Sequence, residues 1–327
     1  MKDQNIAVIG AGLSGVACAQ VLAGAGAHVT LFDKARGAGG RMSTRRTEAG
    51  PFDHGAQYFT ARAPDFCAAV EAWCAAGVVA PWHGRIERIG VGPGPEPSPG
   101  ERYVGLPGMS TLLRHIAGEL SVRYQTHITG ISRDADGLRL DTSEGGPERG
   151  FTQVVVAVPA PQAVPLLALA PGLARAAAKA KLAPCWSALA AFDAPLETPL
   201  DGIFFVGHPV GWAARDNSKP GRPPGERWVI HGHWTWSAEH LEDPPEAVGQ
   251  ALLGAFFAAL DLEPRKPAFL GTHRWRHALP TEPLAEDHLY DAAAGLGVCG
   301  DWCNGPRVEG AWLSGEALGR AMRRATR

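Results

Sequence analysis

The feature that most constrains this chain is a glycine pattern near its start. Gly10-Ala11-Gly12-Leu13-Ser14-Gly15 follows the apolar run Asn5 to Ile9 and opens the Ala-rich run Leu13 to Ala25. A turn from strand to helix with this spacing uses Gly10 for the tight bend, Gly12 to let a pyrophosphate reach the backbone, and Gly15 for close helix–strand packing. Leu13 and Ser14 then stand at a helix N-terminus, where unpaired N–H groups and the helix dipole favour phosphate. A second apolar run, His28 to Phe32, ends on Asp33, whose carboxylate is suited to accept ribose hydroxyls and repel a 2′-phosphate. Strand, helix, strand and acid together predict a βαβ unit that holds a dinucleotide, and therefore an α/β fold.

Charge excludes other classes. Lys+Arg 31 against Asp+Glu 33 leaves a formal net charge of −2, so no global field favours nucleic acid or an anionic membrane. No apolar run is long enough to span a bilayer, and the start of the chain lacks a signal-peptide pattern, which points to the cytoplasm. Cys18, Cys67, Cys74, Cys185, Cys299 and Cys303 form no CxxC pair, so reduced thiols are expected. Part of the excess of 41 Gly and 27 Pro falls in two excursions, Gly90 to Gly100 and Asn217 to Glu226. Nucleotide-fold character returns in a helical Gly108 to Gly118, strands at Val122 to Tyr124 and Val154 to Val158, an alternating Ile128 to Leu140, and a C-terminal strand and helix. The resulting division places 1–63, 103–160 and 268–327 in the nucleotide domain, with 64–102 and 161–267 inserted as a β-rich α+β domain.

The run Asp33-Lys34-Ala35-Arg36-Gly37-Ala38-Gly39-Gly40-Arg41-Met42 resembles the extended glycine-arginine signature of the flavin-containing amine oxidase superfamily, which binds FAD. Asp53-His54-Gly55-Ala56-Gln57-Tyr58-Phe59-Thr60 resembles the loop beside the flavin in its renalase-like branch. Cys299-Gly300-Asp301-Trp302 and Arg307-Val308-Glu309-Gly310-Ala311-Trp312-Leu313-Ser314-Gly315 resemble that branch's last FAD motif. The resemblance implies a Rossmann-like FAD-binding domain of the amine-oxidase type with an inserted substrate domain, and FAD held without a covalent bond, although His54 and Cys303 are residue types able to tether a flavin. Gly10, Gly12, Leu13, Ser14, Gly15, Asp33, Lys34, Arg36, Gly40, Arg41 and Met42 are the expected cofactor contacts of the first segment. Gly55, Ala56, Gln57, Tyr58 and Ile128 follow, then Gly300, Asp301, Arg307, Val308, Glu309, Gly310 and Ala311. In this reading an arginine neutralises the pyrophosphate, the Gly300 N–H and Asp301 carboxylate meet pyrophosphate and ribityl hydroxyls, and the helix starting near Val308 stabilises an anionic reduced flavin.

Ten Trp suggest an aromatic substrate pocket. Trp228 to Trp236 alternates, so an extended chain would turn Trp228, Ile230, Trp234 and Trp236 one way as an aromatic surface, and Val229, His231, His233 and Thr235 the other. Tyr58, Trp234, Trp275 and Trp302 are the candidate reaction-site residues as a set. Gln57, Trp186, Trp212, Lys219, His231 and Arg274 are the candidate substrate contacts, and Arg215, Lys219, Arg222, Arg274 and Arg276 could hold substrate phosphates. His231/His233 and His273/His277 lack Cys or carboxylate ligands at paired spacing, so no metal is expected.

The renalase-like resemblance implies an oxidase that moves hydride from a dihydronicotinamide, such as a 2- or 6-dihydro isomer of NAD(P)H, to flavin N5, with O2 reoxidation to H2O2. Small molecules would be its only partners, in a monomer or homodimer. The alternatives are a flavin-dependent amine oxidase and a non-enzymatic dinucleotide sensor. Amine-oxidising relatives set a lysine near flavin N5 to hold a water, whereas Lys2, Lys34, Lys179, Lys181, Lys219 and Lys266 sit in no matching motif.

Overall fold

Strand Asn5–Ile9 (β1) lies inside a six-stranded sheet in the computed structural model, which describes residues 1–94 and 100–326. It pairs in parallel with His28–Phe32 (β2), Val8 opposite Leu31, and with Gln153–Val156, Val8 opposite Val155. Leu296–Val298 and Ser121–Arg123 extend the parallel sheet, and Leu289–Asp291 adds an antiparallel edge. Parallel strands covered on both faces read as unbroken apolar runs, as Ile6 to Ile9 and Val154 to Val156 do. Helix Leu13–Gly24 (α1) joins β1 to β2 as the glycine pattern requires. The C-terminal helix Val308–Ala325 packs along α1 through small residues: a Cβ on Gly315 would stand 2.1 Å from the Ser14 carbonyl oxygen, and one on Gly319 2.7 Å from Val21 Cβ.

The chain divides into two compact units, Met1–Arg41, Leu113–Leu182 and Pro280–Arg327 forming the first, Met42–Leu112 and Ala183–Leu279 the second. These bounds differ from the sequence-based ones. Residues 42–63 join the second unit because hairpin Thr44–Thr47/Gly50–Asp53 buries Phe52 against Leu189 and Val229. Residues 161–182 join the first, where Ala163, Leu166, Leu167 and Ala177 pack with Val154 and Val156. Of the Gly90–Gly100 loop, residues 95–99 lie outside the described residues.

The second unit is built on a sheet ordered Phe269–Glu282, Lys181–Phe192, Glu226–Gly232, Val210–Arg215, Gly202–Phe205, Ile86–Ile89. One face carries Trp186, Ala188, Trp228, Ile230 and Ala213, which pack on Leu252, Phe256 and Phe257 of helix Pro245–Ala259. The expected aromatic surface of Trp228 and Ile230 is therefore core. The alternation also ends early: the strand stops at Gly232 and Trp234–Glu239 is helical, with the His233 side chain accepting the Thr235 N–H at its start. A Cβ on Gly232 would lie 2.7 Å from Ser237 Oγ, so glycine is what lets the helix fold back over the strand end. Among the described residues, no helix is long and apolar enough to cross a membrane.

Candidate active site

In the first unit the three glycines of the turn separate by what surrounds them. Gly10 has φ +102°, and its Cβ would fall 2.6 Å from the Ala157 carbonyl oxygen; a Cβ on Gly15 would fall 2.0 Å from that of Gly10. Both glycines are demanded by the fold. Gly12 has φ −74° and ψ 175°, which any residue can adopt, and a Cβ there meets nothing within 4 Å. Gly40 abuts it, its Cβ position 3.5 Å from Gly12 Cα. Clearance that the protein does not need for its own packing, at a helix start whose Leu13, Ser14 and Gly15 N–H groups have no intrahelical partners, fits a pyrophosphate.

Asp33 is oriented by two backbone donors, Ala11 N–H to Oδ2 and Ala35 N–H to Oδ1, each at 2.8 Å. Each oxygen keeps a lone pair for a ribose hydroxyl. Lys34 and Arg36 are exposed. Arg41 departs from expectation: it makes a bidentate pair with Asp301, at 2.8 and 2.6 Å, so these opposite charges answer each other first. The Gly300 N–H likewise donates to Ser314 Oγ at 3.0 Å instead of facing phosphate. Gly310 is a packing glycine, its Cβ position 2.3 Å from the Gly305 carbonyl oxygen. Arg307 caps the C-terminal helix without a side-chain hydrogen bond, and Glu309 is buried in its first turn, followed by Ala311, whose N–H bonds the Arg307 carbonyl. The first N–H of this helix to bond a preceding carbonyl is that of Ala311, so Val308 and Gly310 stand in the turn where a helix has no intrahelical acceptors. Ile128 is core.

In the second unit a buried charge cluster surrounds the loop that starts at Asp53. That carboxylate, fully buried, accepts from Thr44 Oγ1 (2.7 Å), the Met109 N–H (3.0 Å) and Arg222 Nη2, with Lys219 Nζ at 3.7 Å. Burial works against its ionisation, but the two cations and the hydrogen bonds hold its pKa below the usual carboxylate value. Lys219 donates to Asp216 Oδ1 (2.6 Å) and Gln57 Oε1 (2.8 Å), and Asp216, also buried, has its pKa raised by that burial and by Asp53 despite the lysine. Gln57 Nε2 in turn donates to the carbonyl oxygens of Asp53 and, at 3.1 Å, Gly55.

The His54 carbonyl oxygen accepts from Trp275 Nε1 at 2.9 Å and faces His231 Nε2 at 3.2 Å. The carbonyls of Asp53, His54 and Gly55 are thus all turned toward protein donors. Among the described residues, the backbone N–H groups of His54, Gly55, Ala56 and Gln57 make no hydrogen bond to a protein acceptor. Rings line the same region: His54 lies 4.9 Å from Trp275 and 4.7 Å from His273, and Tyr58 lies 5.5 Å from Trp212. Burial lowers the His54 pKa to about 3 and those of His231 and His273 to about 4, so all three imidazoles are neutral at physiological pH.

Of the expected reaction-site set, Tyr58 and Trp275 fall in the second unit near this loop, as does Trp212 of the expected substrate contacts. Trp302 does not: it is fully buried in the first unit's core, its Nε1 donating to the Val158 carbonyl. Trp186 is core and donates to the His240 carbonyl, while Trp234 is 43% exposed beside His233. Gln57, Lys219 and His231 come together. Arg274 and Arg276 pair with Glu242, Arg215 with Glu226 and Asp201, and Arg222 with Asp53, so each arginine proposed for substrate phosphate already has a carboxylate. Sequence reasoning missed Asp216 and the roles of His273 and Asp53. Asp216 and Lys219 are visible as a charged pair beside a Pro/Gly excursion, but Asp53 lies 163 residues from Asp216. Among the described residues no three His, Cys, Asp or Glu are grouped to hold a metal ion.

Residues 8–70 match the NAD(P)-binding Rossmann-like domain, and residues 95–321, more than half of the chain, match the flavin containing amine oxidoreductase family. A hydroxyneurosporene desaturase of Rubrivivax gelatinosus is 33% identical over 91 residues, 28% of this chain and only 17% of that protein. Two solved structures share the fold: one assigned as a protoporphyrinogen oxidase from Exiguobacterium sp. 255-15, with TM-score 0.78, 14% identity and 99% of both chains covered, and the cyclohexylamine oxidase of Brevibacterium oxydans IH-35A, with TM-score 0.71, 14% identity and 98% of this chain and 99% of that one covered. With the dinucleotide turn built as the glycines require, the chain belongs to the flavin-containing amine oxidoreductase family and is an oxidoreductase whose cofactor is FAD.

Proposed function

We propose that this enzyme oxidises a dihydronicotinamide-type substrate, such as a 2- or 6-dihydro isomer of NAD(P)H, in the manner of the renalase-like branch its motifs resemble, with O2 as final acceptor and H2O2 as product. The observation that carries the reading is that the three imidazoles around the His54 loop titrate far below neutral pH, so no histidine there is poised as a base. His54, His231 and His273 titrate at about 3 to 4, and Lys219 is held by two carboxylates. A dihydropyridine becomes an aromatic cation when oxidised and hands the protein no proton. An amine arrives as ammonium and must first lose one, which asks for a base.

When bound, FAD supplies the two-electron acceptor. The first unit, read as the FAD-binding domain, offers the Gly12–Gly40 clearance and the α1 N-terminus to the pyrophosphate, and Asp33 to ribose. The second, read as the substrate-binding domain, offers the His54–Gln57 N–H row to carbonyl oxygens and the faces of Tyr58, Trp212 and Trp275 to a flat ring. The neutral imidazoles leave that surface without a like charge to oppose a cationic product.

The test is anaerobic mixing of the FAD-loaded protein with borohydride-generated dihydro-NAD isomers and, in parallel, with simple amines. Flavin bleaching within seconds by a dihydro isomer alone supports the reading. Bleaching by an amine alone assigns the amine-oxidase alternative, and no bleaching by any dihydronicotinamide defeats the proposal.

A further inference from the structure

Among the described residues Lys219 is the only buried lysine; Lys2, Lys34, Lys179, Lys181 and Lys266 are all exposed. Its ammonium donates to Asp216 Oδ1 at 2.6 Å and Gln57 Oε1 at 2.8 Å, with Asp53 Oδ2 at ion-pair distance, 3.7 Å. The segment that carries it is tied down on both sides. Asp216–Ser218 makes a single tight turn that brings Lys219 back toward Asp216, and Arg222 donates to the Gly105 carbonyl (2.8 Å), the Pro220 carbonyl (3.0 Å) and Asp53. What Lys219 orients is the Gln57 amide: with Oε1 held by the ammonium, Nε2 must point at the Asp53 and Gly55 carbonyls.

We propose that Lys219 is a positioning residue that acts through Gln57, locking the 53–57 loop with its carbonyls inward and its N–H row outward, and takes no part in proton transfer. The inference rests on the reading of that N–H row as the ligand-facing edge. The Lys219 hydrogen bond to Gln57 Oε1 is the link by which the ammonium sets the loop, since the same amide's Nε2 reaches the Asp53 and Gly55 carbonyls. Asp53 and Asp216 flank the buried Lys219 side chain, and Arg222 pairs with Asp53.

The experiment compares Lys219→Met, Gln57→Leu and the double variant in the FAD-loaded enzyme. One readout is the indole N–H resonance of Trp275, assigned with Trp275→Phe, since this group donates to the His54 carbonyl and reports the loop directly. The expected result is that both single variants shift that resonance the same way, raise KM for the dihydronicotinamide tenfold or more with a smaller change in kcat, and leave the shape of the pH profile intact. The double variant should be no worse than either single one. A Lys219→Met enzyme with an unmoved resonance, a lost limb in its pH profile that Gln57→Leu retains, or effects that multiply in the double variant would each overturn the proposal. Should Lys219→Met alone fail to fold for want of a counter-charge, Lys219→Met with Asp216→Asn removes one charge of each sign and takes its place. If no dihydronicotinamide is oxidised, the resonance still decides whether Lys219 sets the loop, so failure of the substrate assignment is distinguishable from failure of this inference.

Discussion

His231 Nε2 lies 3.2 Å from the carbonyl oxygen of His54. A carbonyl can only accept, so His231 carries its proton on Nε2 and presents a bare Nδ1; by the same logic the His54 Nδ1, 3.1 Å from the Ser43 carbonyl, is protonated and its Nε2 is bare. Two neutral tautomers are thereby set by backbone geometry.

A pH dependence of stability follows. Burial lowers these two imidazoles from 6.5 to about 3 for His54 and about 4 for His231, so as pH drops below about 6.5 the unfolded chain takes up protons that the folded one refuses. Stability is unaffected by them above pH about 7 and falls between about 6.5 and 4, by up to about 1.4 kcal/mol per pH unit for each histidine. Urea midpoints at pH 7.5, 6.0 and 5.0 should fall less for His54→Gln than for the parent chain. Parallel curves would show that His54 carries no such penalty.

The rate should depend little on pH. With the imidazoles titrating near 3 to 4, kcat/KM for a dihydronicotinamide is expected to stay within about threefold from pH 6 to 9. A limb of unit slope in that range would reveal a base the structure does not provide.

The glycine turn makes a paired prediction. Gly12→Val places its side chain in open space, so the apoprotein should melt within about 2 °C of the parent while FAD retention is lost. Gly15→Ala drives a methyl to 2.0 Å from the Gly10 carbonyl and should cost folding stability with or without cofactor. Normal flavin content in purified Gly12→Val would refute the assignment of this turn.

Asp53 and Arg222 form an ion pair with both side chains fully buried. Removing Arg222 leaves the buried Asp53 carboxylate with Lys219 alone, at 3.7 Å, as its counter-charge, so Arg222→Met should lower unfolding free energy by about 3 kcal/mol, read from denaturant midpoints at pH 7. The exposed pair Lys181–Glu282 is the control: Lys181→Met should change stability by less than about 1 kcal/mol.

The nucleotide half was largely legible because its signals are local. Gly10 to Gly15, the apolar strands on either side and Asp33 lie within a few turns of chain, and each residue's demand is steric or dipolar at its own position. The flavin-side arginine and aspartate were legible as residues but not as a pair. Arg41 and Asp301 are 260 positions apart, and no spacing reveals that they answer each other.

Alternation in Trp228 to Gly232 showed correctly that one set of side chains opposes the other, but not which set would be covered. Helix Pro245–Ala259 covers Trp228 and Ile230, and that leaves His231 to the opposite face with Ser187 and Trp212 beside it in register. Likewise Lys219, by sequence a candidate for substrate phosphate, is enclosed by Asp53, Asp216 and Gln57. The sequence by itself determined the dinucleotide turn, since backbone sterics and a helix dipole act over a few residues. Only the tertiary structure decided which rings are core, which charges are spent on each other and which loop edge is left for a ligand, because burial and charge pairing depend on what distant segments bring within a few ångströms.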